Sequence, residues 1–359
     1  MKPSAYETLD PGGGTAMVRT ESRDRLKRVG AIVFDCDGTL VDARRSYDTT
    51  VMRTVRTMLE GFSGVDLPVE DFGGELILKI RRTGGFNSDW DTTYALSLLA
   101  EAAVERCRSE ERAEVGRITA ILEGLIGGFS SRNRLAGRSS VDRFLSREGL
   151  ASETLMRFRR YLGFGGPLQS KMAATFDQIY YGGTLYREIY GVKPAVWYDE
   201  GLIEMETLFL GLDDIRRFQR IVGKRRMAMA TGRPYVAVKH ALGPLLRYFE
   251  RDASTFIGDG DIYPELAPEL ESYRKPSGAS LIKAHRMLSA GKMLYIGDSA
   301  EDRLMVDDAR SRYRDILFAG IYGSSFNEES QISYFSRTES DLVVRSVDQV
   351  PAVLEMIAS

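Results

Sequence analysis

The sequence predicts an α/β protein, a doubly wound, mostly parallel sheet with an inserted α-helical domain. Three observations carry this reading. Ala31-Ile32-Val33-Phe34 is a continuous apolar run ending in Asp35-Cys36-Asp37-Gly38, as expected of a parallel strand covered on both faces. The pattern returns after residue 225, with helical stretches between the runs, and alternating strands and helices build a parallel sheet. From Arg45 to about Glu206, helical periodicity dominates instead.

Taken in order, residues 1–28 contain Pro11-Gly12-Gly13-Gly14, many charges and little to bury, so they read as a flexible N-terminal tail. Residues 29–45 hold the first strand and its acidic loop. Residues 46–205 read as helices, among them Asp48 to Leu59, Thr92 to Arg106, Arg117 to Ile126 and Ser152 to Leu162, with glycine pairs such as Gly84-Gly85 and Gly165-Gly166 between them. The simplest account is an insertion between the first and second strands of a discontinuous core formed by residues 29–45 and 206–359. A single uniform domain would leave the first strand far from its partners. The later strands are Met227 to Ala230 before Thr231-Gly232, Thr255 to Ile257 before Gly258-Asp259, Met293 to Ile296 before Gly297-Asp298, Ile316 to Ala319 before Gly320, and Leu342 to Val344.

Composition narrows the chemistry. A formal charge of −2 gives no global attraction to nucleic acid or to an anionic membrane. No run is apolar for long enough to span a bilayer, and residues 1–28 have no apolar core of an export signal. Two cysteines and two histidines are too few for a zinc finger, a histidine cage or a disulfide scaffold. A reducing, cytoplasmic setting is the expectation. Catalysis, if present, would run on carboxylates.

In open parallel sheets ligands bind beyond the carboxyl ends of the strands. Those ends carry Asp35 and Asp37, Thr231, Asp259 and Asp298. Two carboxylates two residues apart can divide the work of nucleophile or metal ligand and of proton shuttle, though an acidic loop after a strand is often only a turn. Thr231 and Gly232, before a helix, can cradle phosphate or merely cap it. Lys275, in a polar loop, can neutralise a phosphate and a carboxylate together or simply be solvated. Asp298 is a hard oxygen donor suited to Mg²⁺. Ser299 and Asp302 are spaced as a capping box.

In this order, each at a strand end, these segments resemble the four motifs of the haloacid dehalogenase superfamily of phosphohydrolases. Asp35-Cys36-Asp37-Gly38-Thr39 is similar to the first motif, Thr231 to the second, Lys275 to the third and Gly297-Asp298-Ser299-Ala300-Glu301-Asp302 to the fourth. The resemblance implies a Rossmann-like core with a helical cap inserted between the first and second motifs, as in phosphoglycolate-phosphatase-like members, here with a larger cap. It implies a Mg²⁺-dependent phosphatase acting on a small phosphorylated metabolite, phosphoglycolate-like or a sugar phosphate. Asp35 would form an aspartyl phosphate and Asp37 would serve as acid and base. Mg²⁺ would be held by Asp35, the Asp37 carbonyl and Asp298. Thr231 and Lys275 would hold phosphoryl oxygens, with the backbone at Cys36, Gly38 and Gly232 nearby. Asp302, with Ser299, would anchor Lys275 or a metal-bound water.

Within the insertion, Asn87 and Asp89 are candidate substrate contacts with Arg81 or Arg82 nearby, while Ser88 and Asp91 are spaced as a capping box for the helix that follows. A phosphomutase or phosphotransferase using the same aspartyl phosphate is the alternative. A protein that binds a phosphorylated ligand without turnover is a third reading. His240 and His285 fall in helical stretches of the core and receive no catalytic part.

Overall fold

A computed structural model describes residues 5–68, 73–81, 83, 86, 88–109, 114–132, 137–195, 198–289, 291–325 and 327–359. The strands are β1 (Tyr6–Leu9), β2 (Ala16–Arg19), β3 (Val29–Phe34), β4 (Val41–Asp42), β5 (Thr207–Leu208), β6 (Met227–Thr231), β7 (Thr255–Phe256), β8 (Lys292–Gly297), β9 (Ile316–Ile321) and β10 (Leu342–Val344). The chain divides into two units, one formed by Met1–Ala43 and Glu206–Ser359, the other by Arg44–Met205.

In the first unit, eight strands lie in the order β1-β2-β10-β9-β8-β3-β6-β7. From β10 to β7 every pairing is parallel. Counting these six in chain order, the arrangement is the doubly wound one, and the direction of winding reverses between β3 and β8. That junction is tightly registered: Phe34 pairs with Ile296, and the Asp35 amide donates to the Ile296 carbonyl at 2.8 Å.

The apolar strands do what both-face burial requires. Ala31 and Val33 of β3 enter a cluster with Met293, Tyr295, Leu281, Ala284, Met305 and Phe318. Phe34 points to the other face, where its ring meets Phe218 and Phe249 edge-on at 5.2 and 5.6 Å. Burying a side chain of this size contributes about 1.5–3 kcal/mol. A small two-stranded ribbon, β4 against β5, lies where the chain leaves this unit and returns to it.

The expected N-terminal tail is instead part of the sheet. β1 and β2 form a hairpin whose turn uses Gly12, Gly13 and Gly14 at φ of 89°, 72° and 151°, values that favour glycine. β2 then adds antiparallel to β10, with Val18 opposite Leu342. Ala16, Val18 and Leu26 are buried. The physical reason is the exposed edge of β10, which a short strand with alternate apolar residues can cover.

The second unit is helical among its described residues: Arg44–Ser63, Gly73–Arg81, Asp89–Ser109, Val115–Arg132, Arg138–Arg147, Glu153–Leu162 and Lys171–Tyr190. The helix Asp89–Ser109 is buried nearly all round from Tyr94 to Val104, as expected of a central helix. Ser152 and Ser170 cap their helices by accepting from the Leu155 and Ala173 amides at 3.1 and 3.2 Å. Lys171–Tyr190 is broken at Gly182, where φ is 72° and a Cβ would stand 2.6 Å from the Gly201 nitrogen. No helix of the described residues is long and apolar enough to cross a membrane.

Val18→Asp should destabilise the protein by about 3 kcal/mol in chemical denaturation, because it places a carboxylate in the buried β2–β10 seam. An exposed substitution such as Glu7→Gln should change stability by less than about 0.5 kcal/mol.

Candidate active site

The loop after β3 is held by its own backbone. The Cys36 carbonyl accepts from the amides of Leu40 and Val41 at 2.7 and 2.9 Å, and the Gly38 amide donates to the Val41 carbonyl at 2.9 Å. Gly38 is needed twice over. Its φ is 71°, and a Cβ there would collide with Asp298 Oδ2. Its amide being spent inside the loop, Gly38 serves the turn and not, as expected, a phosphate oxygen.

Residues from three distant parts of the sequence meet at the junction of β3 and β8. Lys275 Nζ donates to Asp35 Oδ1 and to Asp302 Oδ1, both at 2.6 Å. Asp302 also accepts from the Tyr295 hydroxyl at 2.7 Å, from the Ser299 amide at 3.0 Å and from the Ser299 hydroxyl at 2.7 Å. Asp302 is therefore saturated, and both parts read from the sequence apply to it: it completes the capping box with Ser299 and anchors Lys275. Carboxylate oxygens of Asp35, Asp298 and Asp302 lie within 4.8 Å of one another. Asp298 is steadied by Ser324 Oγ, which donates to its Oδ2 at 3.1 Å, and by Gln331 Nε2, which donates to its carbonyl at 2.6 Å.

Three carboxylates thus face one ammonium. Burial pushes the Asp35 carboxyl up to about 7, although Lys275 opposes the shift. Burial, then the charges of Asp302 and Asp35, push Asp298 well up too. Burial alone would depress the Lys275 ammonium, but Asp302 and Asp35 outweigh it and hold it well above its ordinary range. Burial likewise works against the Asp302 carboxylate, but Lys275 and its hydrogen bonds keep it below the usual range.

Thr231 ends β6 fully buried, and its hydroxyl accepts from the Arg233 amide at 3.1 Å. Gly232 beside it is exposed and has open space where a side chain would stand. Cys36 is buried, and burial pushes its thiol well up, so it packs as a small inert side chain. Asp259, at the end of the neighbouring strand, is engaged elsewhere. Its Oδ1 accepts from the Tyr235 amide at 2.7 Å, capping the helix Tyr235–Leu242.

Two residues that sequence reasoning missed stand beside Asp37. Arg233 Nε and Nη2 approach Asp37 Oδ1 at 2.7 and 2.5 Å. The same guanidinium is gripped by Glu206 through two bonds of 2.7 and 2.9 Å. Arg233 follows Thr231-Gly232 directly, which is a usable signal. Nothing local marks Glu206, because its partner is 27 residues away.

In the helical unit, Arg81 and Asp89 are joined to each other at 2.6 Å, and Arg81 also reaches Asp48 at 2.8 Å. Both therefore hold that unit together. Asn87 lies outside the described residues. Asp91, expected in a capping box, pairs with Arg138 instead. Trp90 donates to Asp177 at 3.1 Å.

Comparison with known proteins agrees with this arrangement. A family profile described as haloacid dehalogenase-like hydrolase matches residues 29–309. No curated protein matches significantly. Among solved structures, the X-ray structure of a structural-genomics consortium target is similar at a TM-score of 0.60 and 18% identity, covering 91% of this chain and 98% of that one. Phosphatase Tt82 from Thermococcus thioreducens is similar at a TM-score of 0.53 and 22% identity, covering 85% and 98%. With the profile spanning the sheet junction and all four motif positions, the chain belongs to the haloacid dehalogenase-like hydrolases.

Proposed function

We propose that the protein is a Mg²⁺-dependent phosphatase that hydrolyses a small phosphomonoester through an aspartyl phosphate on Asp35. One observation carries the reading: Asp35 sits at the reversal point of the sheet, tied through Oδ1 to Lys275 and grouped with Asp298. The phosphatase name of the neighbour from Thermococcus thioreducens is consistent with it.

The donor set fits Mg²⁺. The ligands on offer are hard oxygens. Asp302 is already saturated, whereas Asp35, buried, and Asp298, half-buried, are acids that lack sufficient positive charge. Asp35, Asp298 and the main-chain carbonyl of Asp37 would hold the ion. When bound, it would offset the repulsion between an anionic nucleophile and an anionic ester.

Asp35 Oδ2 would attack phosphorus, and the bond to the leaving oxygen would break. Asp37 would give that oxygen a proton. A water molecule would then attack the phosphorus of the intermediate, giving its proton to Asp37, and Asp35 would leave as a carboxylate with free phosphate. Thr231 Oγ1, the Lys275 ammonium and the amides of Cys36 and Gly232 would meet the charge that develops on the phosphoryl oxygens. The helical unit Arg44–Met205 would act as the cap that excludes water and selects the ester, with Arg81, Asn87 and Asp89 among the residues to test. The ester would be a small phosphorylated metabolite, phosphoglycolate-like or a sugar phosphate, and the setting the cytoplasm, where free cysteines persist.

Phosphate release from a panel of metabolite phosphates tests the reading. Asp35→Asn should abolish release while leaving the thermal melt within a few degrees of the unaltered protein, and EDTA should abolish release reversibly. Turnover by Asp35→Asn, or an isomeric phosphate as product in place of free phosphate, would overturn it. Asp298→Asn should remove Mg²⁺ binding in titration calorimetry. Gly38→Ala should cost about 1–3 kcal/mol of stability and weaken Mg²⁺ binding in the same calorimetry, since its new methyl group displaces Asp298.

A further inference from the structure

We infer that Arg233 is a positioning residue for proton transfer: it fixes the Asp37 carboxyl through one oxygen so that the other is presented to the leaving group. The inference rests on the reading of Asp37 as acid and base.

The Asp37 side chain is 39% exposed, and packing alone would not hold it in one rotamer. Arg233 is the opposite case, with 1% of its side chain exposed. Its Nε donates to Asp37 Oδ1 at 2.7 Å, and its Nη2 makes an ion-pair contact with the same atom at 2.5 Å. A carboxyl held by a cation at one oxygen keeps its proton, when it has one, on the other, here Oδ2. Misplacing a reacting group by about 1 Å can cost about 100-fold in rate, so this restraint bears directly on the protonation step.

Arg233 can act as a fixed point because it is itself braced. Glu206, also buried, holds the far side of the guanidinium with two bonds. The planar fork of arginine allows both attachments at once, and lysine does not reproduce it. The Arg233 amide meanwhile fixes the Thr231 hydroxyl. One residue therefore orients the proposed proton donor through its side chain and a proposed phosphoryl contact through its backbone. Side-chain substitution removes the first function and spares the second.

The test is the dependence on leaving group. A nitrophenolate departs without a proton, whereas an alkoxide needs one. kcat/KM is measured for p-nitrophenyl phosphate and for glycerol 2-phosphate. For Arg233→Lys the alkyl-to-aryl ratio of kcat/KM should fall about 10- to 100-fold. Asp37→Asn should lower the ratio at least as far, and combining the two substitutions should lower it no further, because both act on one proton transfer.

Should Arg233→Met fail to fold because buried Glu206 loses its counter-charge, Arg233→Met with Glu206→Leu removes both charges together and should show the same fall. An unchanged ratio in folded Arg233 variants, or losses that multiply with those of Asp37→Asn, would overturn the inference. Asp35→Asn separates the two levels. If it is inactive while the ratio ignores Arg233, the phosphatase reading stands and this inference fails; if it is active, the phosphatase reading fails first.

Discussion

A half-buried ammonium between two buried carboxylates organises the core unit. Taking a charge out of water costs several kcal/mol per ion, and only close opposite charges with further hydrogen bonds offset it. Lys275 joins the loop after β3, through Asp35, to the helix after β8, through Asp302. Tyr295 and Ser299 complete the shell around Asp302. The register of β3 on β8 must place these groups within 2.6 Å of one nitrogen. A slip of one residue would reverse every side chain and strand three carboxylates without it.

The second charged knot, Asp37 with Arg233 and Glu206, lies on the other flank of the same loop. The two knots use different cations for different ends. Lysine presents a point charge that can serve a carboxylate and a phosphoryl oxygen in turn. Arginine provides a rigid fork that can hold two carboxylates at once. Between them runs a loop whose glycine permits Asp298 to approach closely.

The parallel strands were legible in the sequence because each is a short apolar run, and all but the last, β10, stop at a small or acidic residue. Asp35, Thr231, Lys275 and Asp298 were legible because their order along the chain matched a known set. The N-terminal hairpin was not. Its strands are four residues each, and β1 is mostly exposed; what orders it is the open edge of β10, which no local pattern announces. Arg233 and Glu206 escaped for a similar reason, since their pairing exists only after folding. Asp259 shows the converse error: a carboxylate at a strand end that matched the expectation of position but spends its side chain on a helix cap.

The divided core has a consequence for synthesis on the ribosome. β3 emerges early, yet its neighbours are β6 and β8, which follow the whole of Arg44–Met205. The β1–β2 hairpin emerges earlier still, and its partner β10 is the last strand of the sheet in chain order. The strands of the sheet made earliest in this order are thus among its last to pair. During that interval the helical unit can complete its own contacts, while Ala31–Phe34 remains an apolar segment in need of protection. A nascent chain halted before residue 342 would carry a hairpin with nothing to dock on, and the edge it should seal would not yet exist.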